Sequence, residues 1–183
     1  MLTKNINFIN FNFKKKKNYI KFYLNKILKQ NNEVINSLRS SYKNSYKNKI
    51  FKVFKKKLDY RLIGIGGSSL GAQAIYDFLK KKIKKNFIFI DNLNAFENKK
   101  EKKNYNNLII SKSGNTTETI VNANILIKKK DKNLFITEKK NSYLRLLAQK
   151  LKAEVIDHNN YIGGRYSVLS EVGMLPAELM GLN

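Results

Sequence analysis

The sequence predicts an α/β chain, a doubly wound parallel sheet of about five strands preceded by a helical amino-terminal segment. Three observations carry this. From Leu62 onward, short β-rich runs alternate with amphipathic helical segments, and a sheet built that way is parallel and covered on both faces. Residues 14–58 contain neither proline nor glycine and repeat apolar side chains at helical spacing: Ile20, Tyr23, Leu24, Ile27, Leu28, then Val34, Ile35, Leu38. The charge is also uneven, with 16 basic and 2 acidic residues in 1–60, so a lysine-rich helical segment (1–60) is expected to precede the sheet-bearing domain (61–183).

The elements follow in order. One or two helices fit within 14–58, where "SSYKNSYKNKIFKVFKKK" reads as helix or connector. "RLIGIGG" is the first strand and "SSLGAQAIYDFLKKK" the helix leaving it. "NFIFID" (86–91) and "NLII" (107–110) are the second and third strands. "TTETIVNANILIKKK" is helical, with Thr116 or Thr117 as N-cap and Ile120, Ala123 and Ile127 along one face. "KNLFITE" is a fourth strand, "SYLRLLAQKL" a helix and "AEVID" a fifth strand. "YSVLSEVGMLPAELMGLN" closes the chain as a helix that tolerates an interior Pro176 as a kink or break.

Composition excludes several classes. With 42% hydrophobic residues the chain can bury a core, but no run approaches about 18 apolar residues, so no membrane span is expected. The basic start is interrupted by asparagines and lacks a small-residue cleavage site, so no signal peptide is read and a cytoplasmic address follows. No cysteine and a single histidine argue against a metal site, and no cofactor is expected. The net charge of +24 invites a nucleic-acid reading. Yet only Arg39, Arg61, Arg145 and Arg165 carry the planar fork that suits phosphate backbones, and the lysine, asparagine and isoleucine bias follows from A+T-rich codons. The expected surface is solvated and lysine-decorated, with no specific nucleic-acid or membrane partner.

Two loops carry the chemistry. "GIGGSSLG", Gly64 to Gly71, combines glycines that admit a ligand close to the backbone with Ser68 and Ser69 at a helix start. "SKSGNTTET", Ser111 to Thr119, repeats the arrangement after another strand. Both offer N–H groups and hydroxyls where the helix dipole favours anions. Hydrogen bonds to charged groups contribute roughly 1.5–3 kcal/mol each, so several would anchor a phosphate monoester. Each loop alone could be a capped glycine turn. A dinucleotide site competes for the first loop, since Asp91 ends the second strand, but Ser69 stands where a G-x-G-x-x-G pattern needs its third glycine. The second loop favours a sugar phosphate. A third element, "NNYIGGRYSVLSEVG", brings Arg165 to a helix start; the rival reading is a structural ion pair.

Together, "IGIGGSSLGAQAI", "LIISKSGNTTETI" and "IGGRYSVLSEVGMLPAELMGL" resemble the glucose-6-phosphate isomerase family in order and approximate spacing, over residues 61–183. That family has two sugar-isomerase domains of doubly wound α/β type, and this chain resembles the first. The resemblance implies an aldose–ketose isomerase of glycolysis and gluconeogenesis acting on glucose 6-phosphate and fructose 6-phosphate. It implies substrate binding by Gly67 and Ser68, and by Ser111, Lys112, Ser113, Gly114, Asn115 and Thr116. Arg165 would be catalytic, stabilising the enediolate, with Glu118 in support. It also implies a small-molecule phosphosugar partner, and a homodimer for the full-length enzyme. The family's glutamate base, ring-opening histidine and late lysine fall in segments beyond residue 183, and His158 matches none of them. Residues 1–183 alone are therefore expected to be almost inactive. A non-catalytic phosphosugar-binding regulatory module is the alternative, and a lysine-driven polyanion binder a third.

Overall fold

The computed structural model describes residues 18–46, 48–55, 59–93, 104–128 and 130–182. They fall into two compact units, within Met1–Tyr42 and Lys43–Asn183. In the first, α1 (Asn18–Leu28) and α2 (Glu33–Ser37) form where apolar spacing predicts helix. Asn32 caps α2, its side chain accepting from the Ile35 N–H at 2.9 Å. Residues 14–17 of the predicted lead-in lie outside the described residues.

The second unit begins before residue 61. The tract left open as helix or connector contains α3 (Asn48–Phe54), and Phe54 is buried in the core of this unit. Then come β1 (Asp59–Ile63), α4 (Leu70–Leu79), β2 (Asn86–Ile90), β3 (Asn106–Ile110), α5 (Thr117–Leu126), β4 (Lys132–Thr137), α6 (Tyr143–Lys150), β5 (Glu154–Asp157) and α7 (Glu171–Met180). The five strands pair in parallel in the order β2-β1-β3-β4-β5, as the alternating pattern predicts. Leu62 stands opposite Phe89 on one side and Leu108 on the other.

Side chains alternate between the two faces with the strand period of two. On one face Leu62, Leu108, Ile110, Leu134 and Ile136 pack with Ala72 of α4 and with Val172, Leu175 and Leu179 of α7. On the other, Ile63, Ile109 and Phe135 pack with Ala123 of α5 and with Leu144 and Ala148 of α6. Both faces are covered, which is why "NLII" reads as an unbroken apolar run rather than an alternating one. The order reverses at β1: β2 lies to one side of it and β3 to the other, leaving a crevice at the carboxyl ends of β1 and β3.

Two element boundaries differ from the sequence expectation. Helix α5 stops at Leu126, and Ile127, expected on its apolar face, is extended at the C-cap. Asp131 ends it: its carboxylate accepts from the Lys128 N–H at 3.1 Å, and its own N–H donates to the Lys128 carbonyl at 3.0 Å. The terminal segment breaks at Ser170 rather than at Pro176. A 3-10 turn, Gly164–Leu169, precedes Ser170, whose hydroxyl caps α7 by accepting from the Val172 N–H, and Pro176 lies inside the continuous helix.

Leu108 is completely buried on the α4–α7 face. Leu108→Ala should cost about 2–5 kcal/mol, read as a lowered urea midpoint with an unchanged m-value.

Candidate functional site

Because every strand is parallel, the turns that leave β1, β3, β4 and β5 share one edge of the sheet. After β1 the chain makes a 3-10 turn, Gly66–Ser68, and enters α4 through Ser69. The Ser69 hydroxyl is spent on the Gly66 carbonyl at 3.3 Å, whereas that of Ser68 has no hydrogen-bond partner among the described residues. Gly67 must lack a side chain. A Cβ there would lie 2.1 Å from the Gly164 carbonyl oxygen and 2.9 Å from the Arg165 Cα. Ser167 fastens the contact, donating to the Gly164 carbonyl at 2.7 Å and lying 3.4 Å from that of Gly67. Thus the first predicted loop and the glycine–glycine–arginine turn touch backbone to backbone.

After β3, three hydroxyls gather. Ser111 Oγ is 2.9 Å from Thr116 Oγ1 and 3.4 Å from Ser113 Oγ, and the last two are 3.4 Å apart. Thr116 is the N-cap residue of α5, but its hydroxyl turns to Ser111 instead of capping. The Gly114 N–H donates to both oxygens of Ser111, and the Asn115 N–H to Ser113 Oγ. Gly114 has φ +67, and a Cβ there would strike Ser142. Asn115 faces away from the triangle: its Oδ1 accepts from the Tyr143 N–H at 2.8 Å, capping α6 in place of Ser142. Gly114 and Asn115 therefore brace the loop against α6.

Lys112 also points elsewhere than its sequence position implies. Its ammonium donates to the carbonyls of Asn160 and Ile162, each at 2.8 Å, and stands 3.5 Å from Glu138. Lys140, at 2.6 Å, holds the Glu138 carboxyl below the usual carboxylate range, first by its hydrogen bond and then by charge; Lys112 adds to this against the opposing effect of burial. Glu118 lies half-buried in the first turn of α5, a position the helix dipole favours for an acid.

The arginines of this unit separate cleanly. Buried Arg61 stacks over Tyr105 and donates to the Leu126 carbonyl at the end of α5. Arg145 pairs with Asp157 and donates to the Glu138 carbonyl. Arg165 is exposed, with no hydrogen bond or ion pair on its guanidinium among the described residues. His158 is buried, its Nδ1 2.9 Å from the Asn159 carbonyl. Sequence reasoning missed Glu171, fully buried, whose carboxylate accepts from the Asn159 N–H. The serine cap and first-turn acid in "LSEVG" mark a helix start but do not signal that contact. Asp91, the rival ribose ligand, accepts from neighbouring Asn92. An open groove of about 840 Å³ runs from Gly67 and Arg165 along Leu70, Ala74 and Phe78, and is apolar apart from the arginine.

A family model described as Phosphoglucose isomerase matches residues 15–182. The chain is 38% identical to glucose-6-phosphate isomerase of Acholeplasma laidlawii, over 67% of this chain and 33% of that one. It is 40% identical to the enzyme of the same name from Mycoplasma genitalium, over 73% and 35%. It thus spans about a third of the length of the curated relatives it matches. Among solved structures, a hypothetical protein from Thermus thermophilus shares the fold with a TM-score of 0.60 at 23% identity, covering 74% of this chain and 37% of that one. No helix among the described residues is long and apolar enough to cross a membrane.

A carboxyl held below its unfolded value stabilises the fold above that value, and the contribution is lost as pH falls through the folded one. Glu138→Gln should therefore lower stability near neutral pH. The difference from the unaltered chain should shrink below about pH 4, the ordinary glutamate range, in denaturation curves taken across pH.

Proposed function

Because the chain belongs to the phosphoglucose isomerase family, we propose that its carboxyl-edge rim holds the phosphate and the developing oxyanion of a hexose 6-phosphate during glucose 6-phosphate–fructose 6-phosphate interconversion. The observation that carries this is the hydroxyl triangle of Ser111, Ser113 and Thr116 on the turn after β3, next to β1 at the switch point, with the guanidinium of Arg165, unpartnered among the described residues, on the same edge. In this reading Ser68 and the three hydroxyls, with nearby main-chain N–H groups including that of Gly67, bind the phosphate. Arg165 faces the sugar carbons.

The chemistry moves a proton between C2 and C1 through an enediolate. A base removes the proton, the charge moves onto oxygen, and a cation there lowers the barrier. A guanidinium suits the cation's task, and that of Arg165 has no carboxylate partner among the described residues to cancel it. The base is assigned to none of these residues. In the family's full-length enzymes it belongs to the length this chain does not span. The wider role is therefore that of a glycolytic isomerase, acting as a dimer, to which this chain contributes the phosphate-holding domain.

The described rim residues include no assigned base, which supports a second reading, a phosphosugar-binding module without catalysis. The two differ in one observable of a full-length protein carrying this domain. A full-length isomerase exchanges the C2 proton of glucose 6-phosphate with deuterated solvent, whereas a module binds without exchange.

Thr116→Val keeps the side chain's shape and removes its hydroxyl. Calorimetric titration with fructose 6-phosphate should show affinity about 10–150-fold weaker, the equivalent of one hydrogen bond to a charged group. Equal affinity in the two proteins, or no heat from the folded unaltered chain, overturns the phosphate assignment.

A further inference from the structure

Lys112 sits in the middle of the hydroxyl loop, where a cation invites assignment to the phosphate. Its contacts point elsewhere. An ammonium has three donors. Two go to the carbonyls of Asn160 and Ile162 at 2.8 Å, and the third side faces Glu138 at 3.5 Å. Ile162 is buried and lies three residues before Arg165. The two carbonyls belong to the turn that leaves β5 and delivers the glycine–glycine–arginine segment. Glu138 follows β4, and its main-chain N–H donates to the Lys112 carbonyl at 3.1 Å. One side chain thus ties together the turns after β3, β4 and β5.

We infer that Lys112 is a positioning residue: its ammonium straps the Asn160–Ile162 turn, and through it Arg165, to the hydroxyl loop, and is not a ligand of the phosphate. To reach an anion in the hydroxyl triangle the ammonium would leave two charge-assisted hydrogen bonds and strand both carbonyls. Phosphate charge is met instead by hydroxyls and main-chain N–H groups. Spacing between the phosphate subsite and Arg165 then depends on this tie, so ligands that span both feel its loss and a ligand filling only the first does not. The spanning consequence rests on the sugar-phosphate reading; the strap itself does not.

Hydrogen exchange on the ligand-free chain tests the strap alone. The Ile162 N–H bonds the Asn159 carbonyl and the Tyr166 N–H the Gly163 carbonyl, so both amides report on the turn. In Lys112→Met they should exchange at least about tenfold faster while core amides of β3 are unchanged; unchanged exchange at both overturns the inference. On the unaltered protein, the Lys112 side-chain nitrogen resonance should stay in place on saturation with inorganic phosphate while amides of the hydroxyl loop move; a shift of that nitrogen in step with them also overturns it. In titrations, Lys112→Met should keep its affinity for inorganic phosphate within about twofold and lose about tenfold for 6-phosphogluconate, whose carboxylate can reach Arg165. Equal loss for both makes Lys112 a direct phosphate ligand. If the unaltered chain binds neither anion, the sugar-phosphate reading fails while the exchange data still decide the strap.

Discussion

The site depends on one steric constraint, the contact between the main chain at Gly67 and the main chain at Gly164. A methyl group at Gly67 would sit 2.1 Å from a carbonyl oxygen, far inside any tolerable contact, so the turn after β1 and the arginine-bearing turn can meet only without a side chain there. What brings those turns within reach is the sheet. β1 lies between β2 and β3, so the turns after β1 and β3 leave neighbouring strands on the same edge, and α4 and α7 pack on one face to set the approach of the Gly164–Leu169 segment. Burial of Leu62, Leu108, Val172 and Leu175 thus does more than stabilise the chain. It fixes the separation between the turn after β1 and the arginine-bearing turn.

Within that frame the polar groups of the rim fall into two sets, those bonded to the chain itself and those left without such bonds among the described residues. Ser69, Asn115, Lys112 and Glu171 are committed to the chain itself, bracing a turn, capping a helix or strapping a loop. Ser68 and Arg165 are uncommitted among the described residues, and the three hydroxyls after β3 bond chiefly one another. Hydroxyls are suited to this, because each can rotate to donate to an incoming anion while its neighbour still accepts. A preorganised cluster avoids much of the ordering cost that binding otherwise incurs.

The fold was legible because the parallel sheet leaves a strong record. Continuous apolar runs such as Leu108–Ile110 mark strands buried on both faces, and the alternation with helices fixes their direction. Helix ends were less legible, since Asp131 and Ser170 set them through single side-chain bonds that periodicity does not encode. The turns that carry Gly67, Ser111, Ser113, Thr116 and Arg165 all leave the carboxyl edge of the sheet. Motif position did not say which way a side chain turns: Lys112 and Asn115 lie in the loop but bond away from the hydroxyl triangle. Glu171 escaped notice because a buried carboxylate in the first turn of a helix looks, in sequence, like an exposed one.

The central claim is that phosphate is recognised by neutral donors at the switch point and not by the lysine-rich surface. The direct measurement is an amide map of the labelled chain titrated with fructose 6-phosphate at moderate salt. The account predicts shifts concentrated at 64–71 and 111–118, saturating together and persisting as salt rises. Shifts spread over exposed lysine tracts such as 80–85 and erased by salt would contradict it.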